Sequence, residues 1–334
     1  GVSEIVDFQR SIGVDIATML DVFSRPDMTY PEVENAVVET IGRAKISLDS
    51  AKSTMLNGPI QGGIYPELRE RSATEMAKYD FAIHPIGGIV PVMEQQRYRD
   101  YAKIMLATLP FLPPNRPVHM FGCGHPMLFP MSIALGADLF DSAAYALFAR
   151  DGRILTPWGT EKLDNLTEWP IITPCISLHT PELVRNLPKE EKVVLLSKYN
   201  LEITLAELSR CRQAVRDGSI WRLVEQRSHQ HPALRDAFLW LTTNPATAHL
   251  VQQHRDGIPL DETTSSQDVS NLGRWESAWN WIIDAQQTPR KGGEQWAGND
   301  TIRRPHIIAA KNLLRHRWHP SSSPTANDES VLIF

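Results

Sequence analysis

The sequence predicts an α/β fold with parallel strands, and within that class the later strands of a (β/α)8 TIM barrel. Short apolar runs alternate with segments of helical periodicity in about five successive units, spaced roughly 25–40 residues apart. Such alternation indicates parallel strands joined by crossover helices, in either a barrel or a doubly wound sheet. The strand ends favour the barrel, because every run ends in a glycine turn or a carboxylate, and a barrel collects its ligands from many strand ends.

The first three units occupy residues 14–109. Their apolar runs cover residues 14–22, 59–60 and 81–86, and each run is followed by a helical pattern, the third of which is predicted over 94–109. The groups that end these three runs are Asp21, then Gln61-Gly62-Gly63, then Gly87-Gly88.

Residues 117–145 supply the fourth and fifth units. The run 118–121 stops at the turn Gly122-Cys123-Gly124, and a helix is predicted over 126–135. A second short strand at 139–140 ends in a carboxylate, Asp141. A glycine turn and an acid at the ends of neighbouring parallel strands are typical of an α/β active site.

The pattern changes after residue 150. A turn and short helix are predicted over 155–166, an amphipathic helix over 200–215 and another over 219–241, which together make a helical insertion and a closing helix. Residues 241–300 are predicted to be a linker or divergent subdomain. Residues 301–334 are predicted to start a C-terminal α+β domain, and the basic helix 301–318 is either a phosphate contact or a solvated face.

Composition indicates an ordinary globular protein, with 42% hydrophobic and 22% charged residues. A net charge of -5 gives no general attraction to nucleic acid or anionic lipid, so any phosphate contact must be a local patch. No apolar run approaches the roughly 18 residues of a membrane span, and the start has no signal-peptide pattern. Three widely spaced cysteines form neither a metal spacing nor a disulfide framework, which favours a cytoplasmic location.

Both ends of the chain are expected to be cuts through a longer protein. The sequence begins with Gly1 inside a helical pattern and finishes on the apolar run 331–334. An apolar strand left bare at a natural terminus would invite aggregation.

The chain resembles the tRNA-guanine transglycosylases, most closely the archaeal type that inserts a 7-deazaguanine precursor of archaeosine. Five motifs carry the resemblance in the family's order, and two more at 186–204 and 303–318 match weakly. The five are GVDIATMLDV (13–22), PIQGGIYPELRERSA (59–73), HPIGGIVPVMEQQRYRD (84–100), PVHMFGCGHPM (117–127) and LFDSAAYALFARDGR (139–153). Residues 1–240 would then form a partial transglycosylase barrel, and 301–334 the start of a tRNA-binding region.

The resemblance implies a pentosyltransferase that exchanges a guanine of tRNA for a 7-deazaguanine (preQ0-like) base without a redox cofactor or ATP. Asp141 stands at the position of the family's nucleophile, which attacks the ribose and forms a covalent intermediate, as in retaining glycosidases. A helix N-cap is the structural alternative for Asp141.

The resemblance assigns base recognition to the other strand ends. Asp21 would accept hydrogen bonds from the guanine N–H groups, Gln61 would donate to its carbonyl oxygen, and Phe121 would stack on the ring. Glycine amides at Gly62, Gly87 and Gly88 would approach the ring closely. The structural alternatives are that Asp21 is a turn residue, that Phe121 is a core aromatic, and that the three glycines only form turns. For Gly63 the turn role is preferred.

Two departures from the family pattern stand out. The family's general acid/base, an aspartate in an Asp-Ser-Gly-type motif, is expected before Gly1. The family also binds a structural zinc through three cysteines and a histidine, in a subdomain that corresponds to residues 151–199. Those ligand positions are occupied here by Ile171, Thr173, Ile176 and Tyr199. None of these side chains is a zinc ligand, so we expect an apolar cluster in place of the metal and no cofactor.

The partners implied are tRNA and a 7-deazaguanine base, with no membrane. The family's dimer is in doubt, because its members dimerise partly through the zinc subdomain. Arginines near the strand ends are the candidate phosphate contacts, namely Arg97, Arg99, Arg150 and Arg153. Two alternatives stay open: a non-catalytic tRNA-binding homologue or subunit, and an unrelated barrel enzyme that uses Asp141 and Asp21.

Overall fold

A computed structural model describes residues 1–216 and 219–243 of the chain. The predicted basic helix 301–318, and all of the predicted linker or subdomain beyond residue 243, lie outside these residues. Across the described ranges, no helix is long and apolar enough to cross a membrane.

Five short parallel strands follow one another in chain order. They are β1 (Ile16–Thr18), β2 (Met55–Asn57), β3 (His84–Ile86), β4 (Val118–Met120) and β5 (Leu139–Phe140). β1 pairs with β2, and β3, β4 and β5 form one parallel sheet. Isolated parallel bridges from Asn57 to Ile83 and from Ile60 to Ile86 connect β2 with β3. The predicted α/β class with parallel strands is therefore confirmed.

Helices precede, connect and follow these strands. They are α1 (Val2–Ser11), α2 (Tyr30–Ala51), α3 (Pro66–Met76), α4 (Val90–Glu94), α5 (Tyr98–Thr108), α6 (Phe129–Ala134) and α7 (Ala144–Arg150). The start of α2 shows why the chain turns helical there: the backbone amide of Thr29 donates to Glu32 Oε2 at 2.7 Å, a capping interaction in the first turn. The main core contains the strand residues Ala17, Leu56, Ile86 and Met120, all almost fully buried.

The helix predicted over 94–109 is wrong in its start, because two helices occupy this region. α4 ends at Glu94, and α5 begins at Tyr98. Gln96 between them has a φ of 55°, a left-handed conformation that interrupts an α-helix.

The turn and short helix predicted over 155–166 are largely wrong. β6 (Arg153–Thr156) and β7 (Gly159–Lys162) form an antiparallel hairpin, and only Leu163–Asn165 is helical, as one 3-10 turn. Gly159 begins β7 with a φ of 153°, which other residues rarely adopt. The tight turn that the glycine permits brings the two strands together.

The remaining helices are α8 (Pro181–Arg185), α9 (Lys189–Arg216), α10 (Ile220–Ser228) and α11 (Pro232–Thr243). α9 starts eleven residues before the predicted 200–215 helix, and its Asn200 is fully buried. The Asn200 side chain accepts from the Leu155 amide at 2.7 Å and donates to the Tyr145 carbonyl at 3.0 Å, so it joins α9 to the hairpin and to α7. The single helix predicted over 219–241 is two helices, because Pro232 has no N–H to continue the first.

Candidate active site

Asp141 directly follows β5, and two groups from the end of β4 contact its carboxylate. The Gly122 amide donates to Asp141 Oδ1 at 2.8 Å, and His119 Nε2 lies 3.0 Å from the same oxygen without being well aligned with it. The His119 contact, followed by the Gly122 hydrogen bond, lowers the pKa of Asp141 despite partial burial. The side chain is 56% exposed. An ionised and accessible carboxylate at a strand end is what a nucleophile requires.

The sequence pattern alone does not identify His119 as a site residue. β4 and β5 pair with His119 opposite Leu139, so strand alternation places His119 and Phe121 on the same face as Asp141. The His119 and Phe121 rings meet edge to face at 4.8 Å. Alternation along residues 118–121 indicates that His119 and Phe121 share a face. Only the register between β4 and β5 shows that this is also the face of Asp141.

Close packing around Asp141 requires the glycine at position 124. A Cβ on Gly124 would overlap the side chain of Ser142, the residue after Asp141. The turn after β4 can therefore approach the loop after β5 only because residue 124 has no side chain. The Ser142 hydroxyl accepts from the Ala144 amide at 2.9 Å and so fixes the start of α7.

A second cluster lies at the ends of β1 and β2. Gln61 is 1% exposed, and its Nε2 donates to Asp21 Oδ2 at 2.6 Å while its Oε1 accepts from the Ser24 amide at 3.2 Å. The structure thus brings the two predicted base-recognition side chains together. One N–H of the Gln61 amide is used by Asp21, and a primary amide carries a second.

The strand-end groups form a row across neighbouring strands. The Gly87 amide donates to the Ile60 carbonyl at 3.0 Å, and the Phe121 amide donates to the Ile86 carbonyl at 3.3 Å. These bonds continue the strand pairing, so Gln61, Gly87 and Phe121 occupy adjacent positions, with Asp141 beyond them.

Gly62 and Phe121 have different environments. Gly62 packs on helix α3, because a Cβ there would lie 2.8 Å from the Arg69 amide nitrogen. This contact with α3 is by itself a reason why position 62 must be a glycine, and it involves no ligand. Phe121 is only partly buried, so its ring is not a fully enclosed core aromatic.

The residues at the family's zinc positions do not fit a zinc ion. Ile171, Ile176 and Tyr199 belong to one hydrophobic cluster, in which Tyr199 is fully buried and packs on Trp169 at 5.4 Å between ring centroids. Partial burial raises the pKa of the nearby Cys175 thiol, which opposes the thiolate form that binds metal. Within residues 1–216 and 219–243, no three His, Cys, Asp or Glu side chains are grouped for a metal.

Three of the four arginines predicted to contact phosphate are already paired with carboxylates. Arg97 contacts Asp100 at 2.7 Å, Arg99 contacts Asp236 on α11, and Arg153 contacts Asp151 at 2.7 Å. Arg150 at the end of α7 is exposed. A phosphate would have to compete with these ion pairs, so their arrangement favours Arg150 among the four.

The chain is similar to known proteins of one family. A family model described as queuine tRNA-ribosyltransferase matches residues 1–233. The chain is 48% identical over 242 residues to the tRNA-guanine(15) transglycosylase of Methanocaldococcus jannaschii, a match that covers 70% of this chain and 37% of that protein. It is 46% identical over 235 residues to the tRNA-guanine(15) transglycosylase of Thermococcus kodakarensis, covering 70% and 40%. The chain therefore spans about two fifths of the length of these relatives.

Proposed function

Because the chain belongs to the queuine tRNA-ribosyltransferase family, we propose that it takes part in exchanging a guanine of tRNA for another base. The names of its relatives point to guanine 15 as the base removed. The incoming base is a 7-deazaguanine of the preQ0 type, and the modification belongs to archaeosine formation. Family membership removes the alternative of an unrelated barrel enzyme.

The fold is proposed to be the later part of a (β/α)8 barrel. Five parallel strands in strict chain order, each followed by helix, support this proposal. The catalytic groups then lie at the carboxyl ends of the strands, where barrel enzymes bind their substrates.

In the first half-reaction, an Asp141 carboxylate oxygen attacks C1′ of the ribose. A C1′–O bond forms as the C1′–N9 bond of the nucleoside breaks, and the electron pair leaves with the guanine, which takes up a proton. The product is an ester between Asp141 and the ribose, with the tRNA backbone intact. The proton comes from the family's general acid/base, for which we assign no residue in this chain.

In the second half-reaction, the incoming base gives its N9 proton to the general acid/base that protonated the guanine, and its nitrogen attacks C1′. The ester bond breaks, and its electron pair returns to Asp141 as a carboxylate. No electrons are gained or lost overall, so the exchange needs neither a redox partner nor ATP. Asp21, Gln61, Gly87 and Gly88 hold each base at the strand ends, and Phe121 stacks on its ring.

The observation that carries this proposal is the environment of Asp141. The Gly122 amide and His119 favour its ionised form, while the side chain keeps more than half of its surface exposed. A helix N-cap role is less well supported, because the N-cap residue of α7 is Ala143.

Base exchange tests the proposal directly. Radiolabelled guanine should enter unmodified tRNA in the presence of the protein, and Asp141→Asn should lower the rate by at least about 1000-fold, because the amide cannot form the ester. Asp80→Asn is the matched control, since Asp80 is exposed and pairs only with Arg116 among the described residues. Equal rates for Asp141→Asn and the control would contradict the assignment.

The substituted zinc positions favour one alternative, a homologue or subunit that binds tRNA without catalysing exchange. This alternative predicts tRNA binding with no incorporation of label by the unsubstituted protein. The same substitutions are proposed to leave the protein without zinc, and they weigh against the family's dimer.

A further inference from the structure

Arg69 on helix α3 is a fully buried cation. Its relative exposure is 0%, and no carboxylate of the described residues lies within ion-pair distance. Burial lowers the pKa of the guanidinium to about 9, which still leaves it protonated at neutral pH. Burying a charge without an acid partner is costly, so its hydrogen bonds must compensate for the lost water.

Those hydrogen bonds all go to backbone carbonyls of two separate loops. Arg69 Nε donates to the Gly63 carbonyl at 2.9 Å, and Nη1 donates to the Ile60 carbonyl at 3.1 Å. Nη1 also donates to the Gly87 carbonyl at 2.9 Å. Ile60 and Gly63 lie in the loop after β2, and Gly87 lies in the loop after β3. One side chain therefore holds the two loops together.

The peptide geometry extends this effect to the base-recognition groups. In a trans peptide, the N–H of one residue points opposite to the carbonyl of the residue before it. Fixing the Gly87 carbonyl on Arg69 therefore directs the Gly88 amide away from the guanidinium. Gly88 is one of the residues proposed to approach the base.

The third nitrogen of Arg69 lies against the same cluster. Nη2 is buried and has no hydrogen-bond partner in the described part of the chain. A Cβ on Gly88 would be 3.3 Å from Nη2 and 3.1 Å from Gln61 Oε1. Gln61 in turn binds Asp21, so the guanidinium, Gly88 and the Asp21–Gln61 pair are packed side by side.

We propose that Arg69 is a positioning residue, which locks the loops after β2 and β3 into one unit and so presents Gln61 and Gly87-Gly88 to the base. The role toward the base rests on the proposed function, whereas the locking of the loops does not. Lysine cannot replace arginine in this role, because a single ammonium group lacks the planar fork that reaches three carbonyls.

Hydrogen exchange and guanine binding together test the proposal. In Arg69→Lys, backbone amides in residues 59–66 and 84–91 should exchange at least about tenfold faster, while those in 118–121 stay unchanged. The dissociation constant for radiolabelled guanine should rise about tenfold or more. Arg71→Lys, on the same helix but exposed and paired with Glu34, should change neither quantity.

The unsubstituted protein provides a measurement that does not depend on any variant folding. As urea is added, residues 59–66 and 84–91 should open with the same free energy, because one side chain holds both. Different opening energies, or unchanged exchange in folded Arg69→Lys, would overturn the locking.

The guanine-binding measurement distinguishes failure of the proposed role of Arg69 from failure of the proposed function. If Arg69→Lys loosens both loops but binds guanine as tightly as the unsubstituted protein, the positioning role is wrong. If the unsubstituted protein binds no guanine, the base-exchange proposal fails, and the role of Arg69 toward the base fails with it. Hydrogen exchange still decides whether Arg69 locks the loops.

Discussion

Asp141 is held ionised by two local contacts that outweigh the effect of its partial burial. The pKa of its carboxyl is lowered first by His119 and then by the Gly122 amide, against the opposing effect of partial burial. A carboxyl with a lowered pKa remains a carboxylate at pH values where an ordinary aspartic acid would begin to protonate. Catalysis that needs the carboxylate should therefore survive moderate acidification and be lost as pH falls through the lowered pKa.

Removing His119 tests this electrostatic support. In His119→Ala the pKa of Asp141 rises, so the acid limb of the exchange rate should move to higher pH. At pH 7 the carboxylate is ionised in both proteins, so the two rates should differ by less than about threefold there. The measurement is the pH profile of kcat/KM for tRNA from about pH 3 to about pH 8, a range that extends below the ordinary pKa of an aspartic acid.

His119→Gln separates electrostatics from packing, because glutamine keeps an N–H donor of similar reach. It should shift the acid limb less than alanine does. An acid limb that is the same in all three proteins would show that His119 does not act on Asp141.

The sequence predicts Asp21, Gln61 and Asp141 as site residues, because polar groups at strand ends stand out from apolar runs. It missed His119, whose position on the Asp141 face depends on the register between β4 and β5. It also missed Arg69, because an arginine in a helix reads as a solvent-exposed residue until its neighbours are known. Both depend on contacts between segments that are distant in sequence.

Helices α9 and α10 are joined by a buried ion pair. Arg227 Nε contacts Glu207 Oε1 at 2.7 Å, and Nη2 contacts Oε2 at 3.0 Å, so the interaction is bidentate. Both side chains are almost fully enclosed. Such a pair fixes the two helices mainly because Arg227 alone would be a buried cation without a carboxylate, and Glu207 alone would keep only the exposed Arg210 at 3.4 Å.

Substitution of one or both partners tests this explanation. Arg227→Met should lower the free energy of unfolding by about 3–5 kcal/mol, because the buried Glu207 keeps only the longer contact with the exposed Arg210, at 3.4 Å. The double variant Glu207→Met/Arg227→Met should recover most of that loss. Urea denaturation gives the free energies, with the exposed Arg212→Met on α9 as the control. A double variant as unstable as Arg227→Met would contradict the explanation.

Hydrophobic periodicity predicts the order of strands and helices but not the interruptions within them. The break between α4 and α5 depends on the left-handed Gln96, and the hairpin of β6 and β7 depends on Gly159. Hydrophobicity patterns are judged over windows of many residues, so they do not detect the positive φ angle of a single residue such as Gln96 or Gly159. The early start of α9 at Lys189 follows from packing on the hairpin through Asn200, which local propensity does not include.

For the molecule as a whole, the cluster around Tyr199 bears on how residues 151–199 are stabilised. Among the described residues, nine that are buried form its centre, including Ile154, Leu196 and Ile203 from the hairpin and α9. Burial of apolar side chains contributes roughly 1.5–3 kcal/mol each, which can replace the stabilisation that a structural metal provides elsewhere.

Metal analysis tests this replacement. The protein should contain far less than one zinc per chain, and EDTA should leave its Tm unchanged. A variant that restores the family's ligands at all four positions, Ile171→Cys, Thr173→Cys, Ile176→Cys and Tyr199→His, should bind zinc and become sensitive to EDTA. One zinc per chain in the unsubstituted protein, with a Tm that falls on chelation, would contradict the prediction.

We propose that Asp141 forms a covalent bond to the ribose of tRNA. The protein is incubated with tRNA and 9-deazaguanine, an analogue of the leaving base, denatured, digested with nuclease and protease, and examined by mass spectrometry. We expect a ribonucleotide attached to the peptide that contains Asp141, and no such adduct in Asp141→Asn. An adduct on a different residue, or none while labelled guanine still enters tRNA, would contradict it.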